Sequence, residues 1–186
     1  MHDFGRDPIH GAIYGKHGLK RAIELEFEHE CLGAGLILIF SLVDAMANLA
    51  RPPGQDENTP QDFRDWVGRY IDLSGQTTLT PDDWWAARNA IVHTYGHYSR
   101  GVRQGKAKLI MWMTHSIPHI RYSPKVNPDA VLVDIFALKE AVFTGVDKFL
   151  ADSFSKPENV PLLEDRLQHL IVVIPLSGAS AAELSL

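Results

Sequence analysis

The chain has 186 residues, of which 45% are apolar and 22% charged, and its formal net charge is −5. That length and composition describe one folded domain with a real core and exclude a disordered or low-complexity chain. The acidic balance excludes a global attraction to nucleic acid, so any such contact needs a local basic patch.

The N-terminus shows no charged-then-apolar leader, and the lone cysteine, Cys31, rules out an internal disulfide framework. Both features fit a reducing, cytoplasmic setting. Residues 1–18 carry Gly5, Pro8, Gly11, Gly15, Gly18 and three histidines, and read as a loose arm. Residues 19–175 read as a single helical domain, and 176–186 as a frayed tail.

A long helix is expected over 19–49, charged in its first half (Lys20, Arg21, Glu24, Glu26, Glu28, Glu30) and apolar nearly all round in its second. The second half resembles a membrane span. However, Asp44 interrupts it, at a cost of about 2.5–3.5 kcal/mol near a span centre, and the uncharged run before Asp44 falls short of roughly 20 residues. It therefore reads as the central core helix, with no membrane partner, and Asp44 needs a partner inside the fold.

Thr59-Pro60-Gln61-Asp62 opens a shorter helix to about Ile71, with Phe63, Trp66, Val67 and Tyr70 on one side. Thr80-Pro81-Asp82-Asp83 repeats the same capping logic. The helix it opens places Trp84, Ala87, Ile91 and Tyr95 at helical spacing, with Gly96 as the expected stop. Arg100, Arg103, Lys106 and Lys108 then form a basic stretch. Leu109-Ile110-Met111-Trp112-Met113 and Ile120-Arg121-Tyr122 are short apolar runs that suit a small β-hairpin. A further helix is expected from Asn127-Pro128-Asp129 to about Ala151, and a last one over 160–173, stopped by Pro175. The fold class is thus an all-α bundle with at most one small hairpin after the motif helix.

The chemistry concentrates on Arg88-Asn89-Ala90-Ile91-Val92-His93-Thr94-Tyr95. His93 has the residue type for proton transfer near neutral pH, and Arg88 the type to hold a phosphate in a bidentate fork. Asn89 can hydrogen-bond substrate or fix His93. Arg88 and His93 lie roughly 140° apart on an ideal helix, so reach of the arginine, a bent helix end or a second copy must complete a joint site. Asp44 is the candidate inward partner of either. Arg100, Arg103, Lys106 and Lys108 could steer a phosphate backbone toward Arg88. Tyr98 and Trp112 read as core packing, with base stacking as the alternative.

Nine histidines raise the question of a metal. His93 and His97, and His115 and His119, are four apart, but Gly96 and Pro118 interrupt both, and Glu26-x-x-His29 has no second copy. No metal or cofactor is expected. No phosphate-cradling glycine loop or nucleophile elbow is present.

Arg88 with Asn89 after it, His93 five residues on and Tyr95 beyond resembles the signature of the HEPN superfamily (higher eukaryote and prokaryote nucleotide-binding domains). The resemblance implies a dimerising helical bundle, many of whose members are metal-independent ribonucleases of toxin–antitoxin, defence or RNA-processing systems. It implies that Arg88 and His93 are catalytic, that Asn89 supports them, and that two motifs meet across a homodimer cleft. It also implies that Tyr95 matches a tyrosine modified, in some toxin members, by a nucleotidyltransferase antitoxin. Members that bind without cutting give the alternative, a helical nucleotide- or protein-binding module. The chain exceeds minimal members by the strand-like segment and two later helices.

Overall fold

A computed structural model describes residues 10–71, 79–114, 121–122 and 130–170. Within them the chain is mostly helical, with one small sheet. The helices are α1 (Leu19–Glu28), α2 (Leu32–Ala50), α3 (Pro60–Tyr70), α4 (Pro81–Thr94), the single turn α5 (Arg100–Arg103), α6 (Ile135–Phe154) and α7 (Val160–Leu167).

The expected helix over 19–49 is in fact two. Glu30 takes a left-handed conformation (φ 58°), the Cys31 N–H bonds back to the Glu26 carbonyl at 2.8 Å, and α2 restarts at Leu32. The break lets α1 fold back on α2. Phe27 then lies where a side chain at Gly35 would stand: a Cβ there would come within 2.6 Å of its ring. Only a glycine tolerates that approach.

The arm expected over 1–18 is likewise not loose from His10 on. His10–Tyr14 forms a π-helical turn, Ile13 is fully buried, and the Tyr14 hydroxyl donates to Asp147 of α6 at 2.5 Å. Residues 1–9 and the tail over 176–186 lie outside the described residues.

Helix α2 is the hub. It packs against α1, α3, α4, α6 and α7, and buries Leu36, Ile39, Phe40, Leu42, Val43, Met46, Ala47 and Leu49. It is long and apolar enough to cross a membrane, with 19 residues and a mean hydropathy of 1.9 in its best window, half of which is buried. Its last carbonyls are held by two arginines. The buried Arg166 donates to Leu49, Arg51 and Pro52 oxygens at 2.8, 2.5 and 2.9 Å, and Arg51 donates to Asn48. The bonds to Asn48 and Leu49 satisfy acceptors that a helix end leaves open, and those to Arg51 and Pro52 hold the chain that leaves it.

Both capping boxes form as expected, at Thr59–Asp62 and Thr80–Asp83, with proline at the first helical position. The buried Asp83 does more than cap. Its other oxygen accepts the Lys108 N–H at 2.6 Å, tying the strand that follows to the start of α4.

The expected hairpin is replaced by a three-stranded mixed sheet, β1 (Leu109–Met113), β2 (Arg121–Tyr122) and β3 (Ala130–Asp134), in the order β1-β3-β2. β1 pairs with β3 in parallel, Leu109 opposite Ala130, and β2 pairs with β3 antiparallel. The middle strand falls where the sequence suggested the start of a helix. Val131 and Val133 favour extended backbone, and Ala130 to Asp134 are all buried. The helix begins only at Ile135, because Asp134 caps it by accepting the Phe136 and Ala137 N–H groups at 2.8 and 3.0 Å. The final helix is also shorter than expected, ending at Leu167 rather than near Val173.

Candidate functional site

Four of the residues singled out above meet on one side of α4. The Arg88 guanidinium donates through Nε and Nη2 to Oδ2 of Asp44 on α2, at 2.9 and 2.7 Å. Its Nη1 lies 3.1 Å from Asn89 Oδ1 and 2.9 Å from His93 Nε2. The reach of the arginine therefore closes the angular gap between positions 88 and 93 within one chain. Trp85, three residues before Arg88, supplies the floor, its ring 5.3 Å from the guanidinium carbon. Sequence reasoning missed Trp85, although a residue at i−3 shares the helix face.

A guanidinium has only donors, so Nε2 of His93 is the accepting atom in this contact. Arg88 presents two edges. Asp44 occupies the Nε/Nη2 edge, and the Nη1 end faces exposed His93 and solvent. Burial pushes the Asp44 carboxyl above its ordinary range, and the hydrogen bond and charge of Arg88 pull it part of the way back.

Tyr95 stands apart from this cluster. It is the helix cap, in a left-handed conformation (φ 49°), where glycine was expected to fall at Gly96. Its ring is 70% exposed, yet its hydroxyl rests on Gly33 of α2, in space a Cβ at that glycine would fill. Gly33 and Asp44 are 11 positions apart, about 16 Å along α2. Tyr95 therefore meets α2 well away from the Asp44–Arg88–His93 group.

The basic stretch is exposed at Arg100, Arg103, Lys106 and Lys108. It leans on a different face of α4. A Cβ at Gly101 would stand 3.6 Å from Ala86, which lies roughly 200° round the helix from Arg88. Among the described residues Arg100, Arg103 and Lys106 make no hydrogen bond or ion pair to Arg88 or His93. Tyr98 is 47% exposed, so the core-packing expectation fails for it, whereas Trp112 packs on Phe40 at 6.0 Å between ring centres.

Among the described residues no group of three or more His, Cys, Asp or Glu side chains is placed to hold a metal. His115 and His119 lie outside the described residues. A cavity of about 310 Å³ opens elsewhere, at the C-terminal end of α2, lined by Trp66, Tyr70, Phe149 and Arg166. No family model, curated protein or solved structure matches the chain.

Proposed function

We propose that this protein is a metal-independent endoribonuclease of HEPN type that works as a homodimer in a toxin–antitoxin or defence setting, in the cytoplasm. The observation that carries the reading is the convergence of Asp44, Arg88, Asn89 and His93 at 2.7–3.1 Å with the imidazole open to solvent. In this reading an RNA phosphate takes over the Nη1 end of Arg88, which frees Nε2 of His93. His93 then removes the proton from the ribose 2′-hydroxyl as its oxygen attacks the adjacent phosphorus. The bond to the 5′-oxygen breaks, and that oxygen takes a proton from water or from the second subunit's imidazolium. The products carry a 2′,3′-cyclic phosphate and a 5′-hydroxyl. Arg88 stabilises the charge that builds on the phosphate, and Asp44 aims Arg88.

A homodimer is supported by the face of α2 that carries Asp44. Ile37, Leu38, Ser41 and Ala45 share it and are only half-buried in the single chain. The exposed Tyr95 fits the modification target of a nucleotidyltransferase-type antitoxin.

One observation favours a second reading, a non-catalytic nucleotide- or protein-binding module. Arg88 already has partners for both its edges inside the chain, as a purely structural arginine would. Incubation with total RNA in EDTA separates the two. The enzyme reading expects cutting by the parent protein and none by Arg88→Ala or His93→Ala. Inactivity of the pure parent protein under these conditions, or a sharp fall in the melting temperature of His93→Ala, favours the second.

A further inference from the structure

The chain leaves α4 through a loop that places two aromatic rings in solvent beside a run of cations. His97 and Tyr98 stack on each other with ring centres 4.7 Å apart and a 51° tilt, and both are exposed. Arg103 Nη1 donates to the Tyr98 carbonyl at 3.2 Å, bracing the backbone under the second ring. Arg100 and Lys106 project from the same loop with no acidic partner among the described residues.

This loop is built to hold its shape. Ser99 is buried and its hydroxyl accepts the Val102 N–H at 3.3 Å. Gly105 turns the chain at φ 66°, Lys106 N–H closes on the Gly101 carbonyl at 2.9 Å, and Lys108 N–H anchors on buried Asp83. Two exposed rings on a hydrogen-bonded base, with cations alongside and nothing apolar covering them among the described residues, do not serve the core. They match what binds an unpaired base by its π face and the flanking phosphates by charge. A duplex offers no free base face, so the arrangement discriminates by strandedness. His97 follows His93 by four residues, so their Cα atoms are at most about 14 Å apart. That places the rings within reach of nucleotides flanking a phosphate at Arg88.

We propose that His97 and Tyr98, with Arg100, Arg103 and Lys106, form a stacking platform for single-stranded RNA beside the Arg88–His93 site. The proposal rests on the ribonuclease reading for the identity of its ligand. It concerns binding, so it is tested apart from cleavage. His93→Ala protein keeps the RNA intact and serves as the parent. Its affinity for a short fluorescein-labelled RNA strand, and for the same strand annealed to its complement, is read by anisotropy in EDTA.

The single strand should bind at least about tenfold tighter than the duplex. Tyr98→Ala should lose about tenfold, and Tyr98→Phe nothing, because the ring face rather than the hydroxyl makes the contact. Arg100→Ala and Lys106→Ala should each lower the slope of log affinity against log salt by about 0.7. Circular dichroism checks that each variant is folded; should Tyr98→Ala not fold, the strand-against-duplex ratio and the two salt slopes decide. Equal affinity for strand and duplex, parent-like binding by folded Tyr98→Ala, or no RNA binding at all overturns the platform. Cleavage by the otherwise native protein is scored separately. Full cutting with Tyr98-independent binding sinks the platform and leaves the nuclease standing. Tyr98-dependent binding with no cutting does the reverse.

Discussion

Asp44 carries two opposed effects that a substitution can pull apart. Because its folded carboxyl titrates above the ordinary value of 3.8, the native chain holds a proton there that the unfolded chain releases. Its contribution to stability therefore falls as pH rises from 3.8 through the raised folded value. Asp44→Asn should flatten that part of the stability curve, so that chemical denaturation from mildly acidic to neutral pH shows wild type losing ground to the variant. The same change weakens the anchor of Arg88, and on the proposed ribonuclease function RNA cutting should drop by about a hundredfold. Tyr95 is a second residue whose conformation works against stability. A left-handed tyrosine is strained by roughly 1 kcal/mol relative to glycine. Tyr95→Gly should therefore melt at the same temperature as wild type or higher; a clear fall in the melting temperature would show that its contact with Gly33 outweighs the strain.

At the scale of elements, the starts of α3 and α4 could be read from the chain because their signals are local. Thr59-Pro60 and Thr80-Pro81, each with an aspartate at the third helical position, fix α3 and α4 within a residue. Asp83 shows what such a reading leaves out. Thr80→Ala should cost about 1 kcal/mol, the usual value of a cap. Asp83→Ala should cost about 2–3 kcal/mol in urea denaturation, because it also removes the buried carboxylate that accepts the Lys108 N–H. The strand Ala130–Asp134 was misread as helix because its apolar run fits both periods; only pairing with Leu109–Met113, some 20 residues earlier, makes it extended. Arg166 shows the same limit. Nothing nearby in sequence announces that it caps α2, 117 residues away in the bond to Leu49. Arg166→Met should cost roughly 2–4 kcal/mol in the same assay, since three carbonyls lose a charged donor at once. Of the site, Arg88, Asn89 and His93 could be picked out from their spacing, and Asp44 because it is a lone carboxylate in an apolar helix. Trp85 and Gly33 were invisible, since a tryptophan near a motif and a glycine in a distant apolar helix have many ordinary uses.

For the whole molecule, the open question is what covers the Asp44 face of α2. If a second copy does, a charge in the middle of that face should separate the subunits. Ile37→Asp should run as a monomer in size-exclusion chromatography with light scattering, and cutting should fall with it. An unchanged elution of a folded Ile37→Asp protein would place the seam elsewhere, and a monomeric wild type would leave each Asp44–Arg88–His93 cluster to act alone.

The position of α2 in the chain has a consequence for synthesis. It follows α1 directly, yet most of what covers it, α3, α4, α6 and α7, is translated later. A nascent polypeptide cut short before α3 would present a 19-residue greasy rod with only α1 to shield it. Such fragments would stick to bilayers or to each other, so ribosome stalling or proteolytic nicking ahead of α3 turns the protein's own hub into an aggregation hazard.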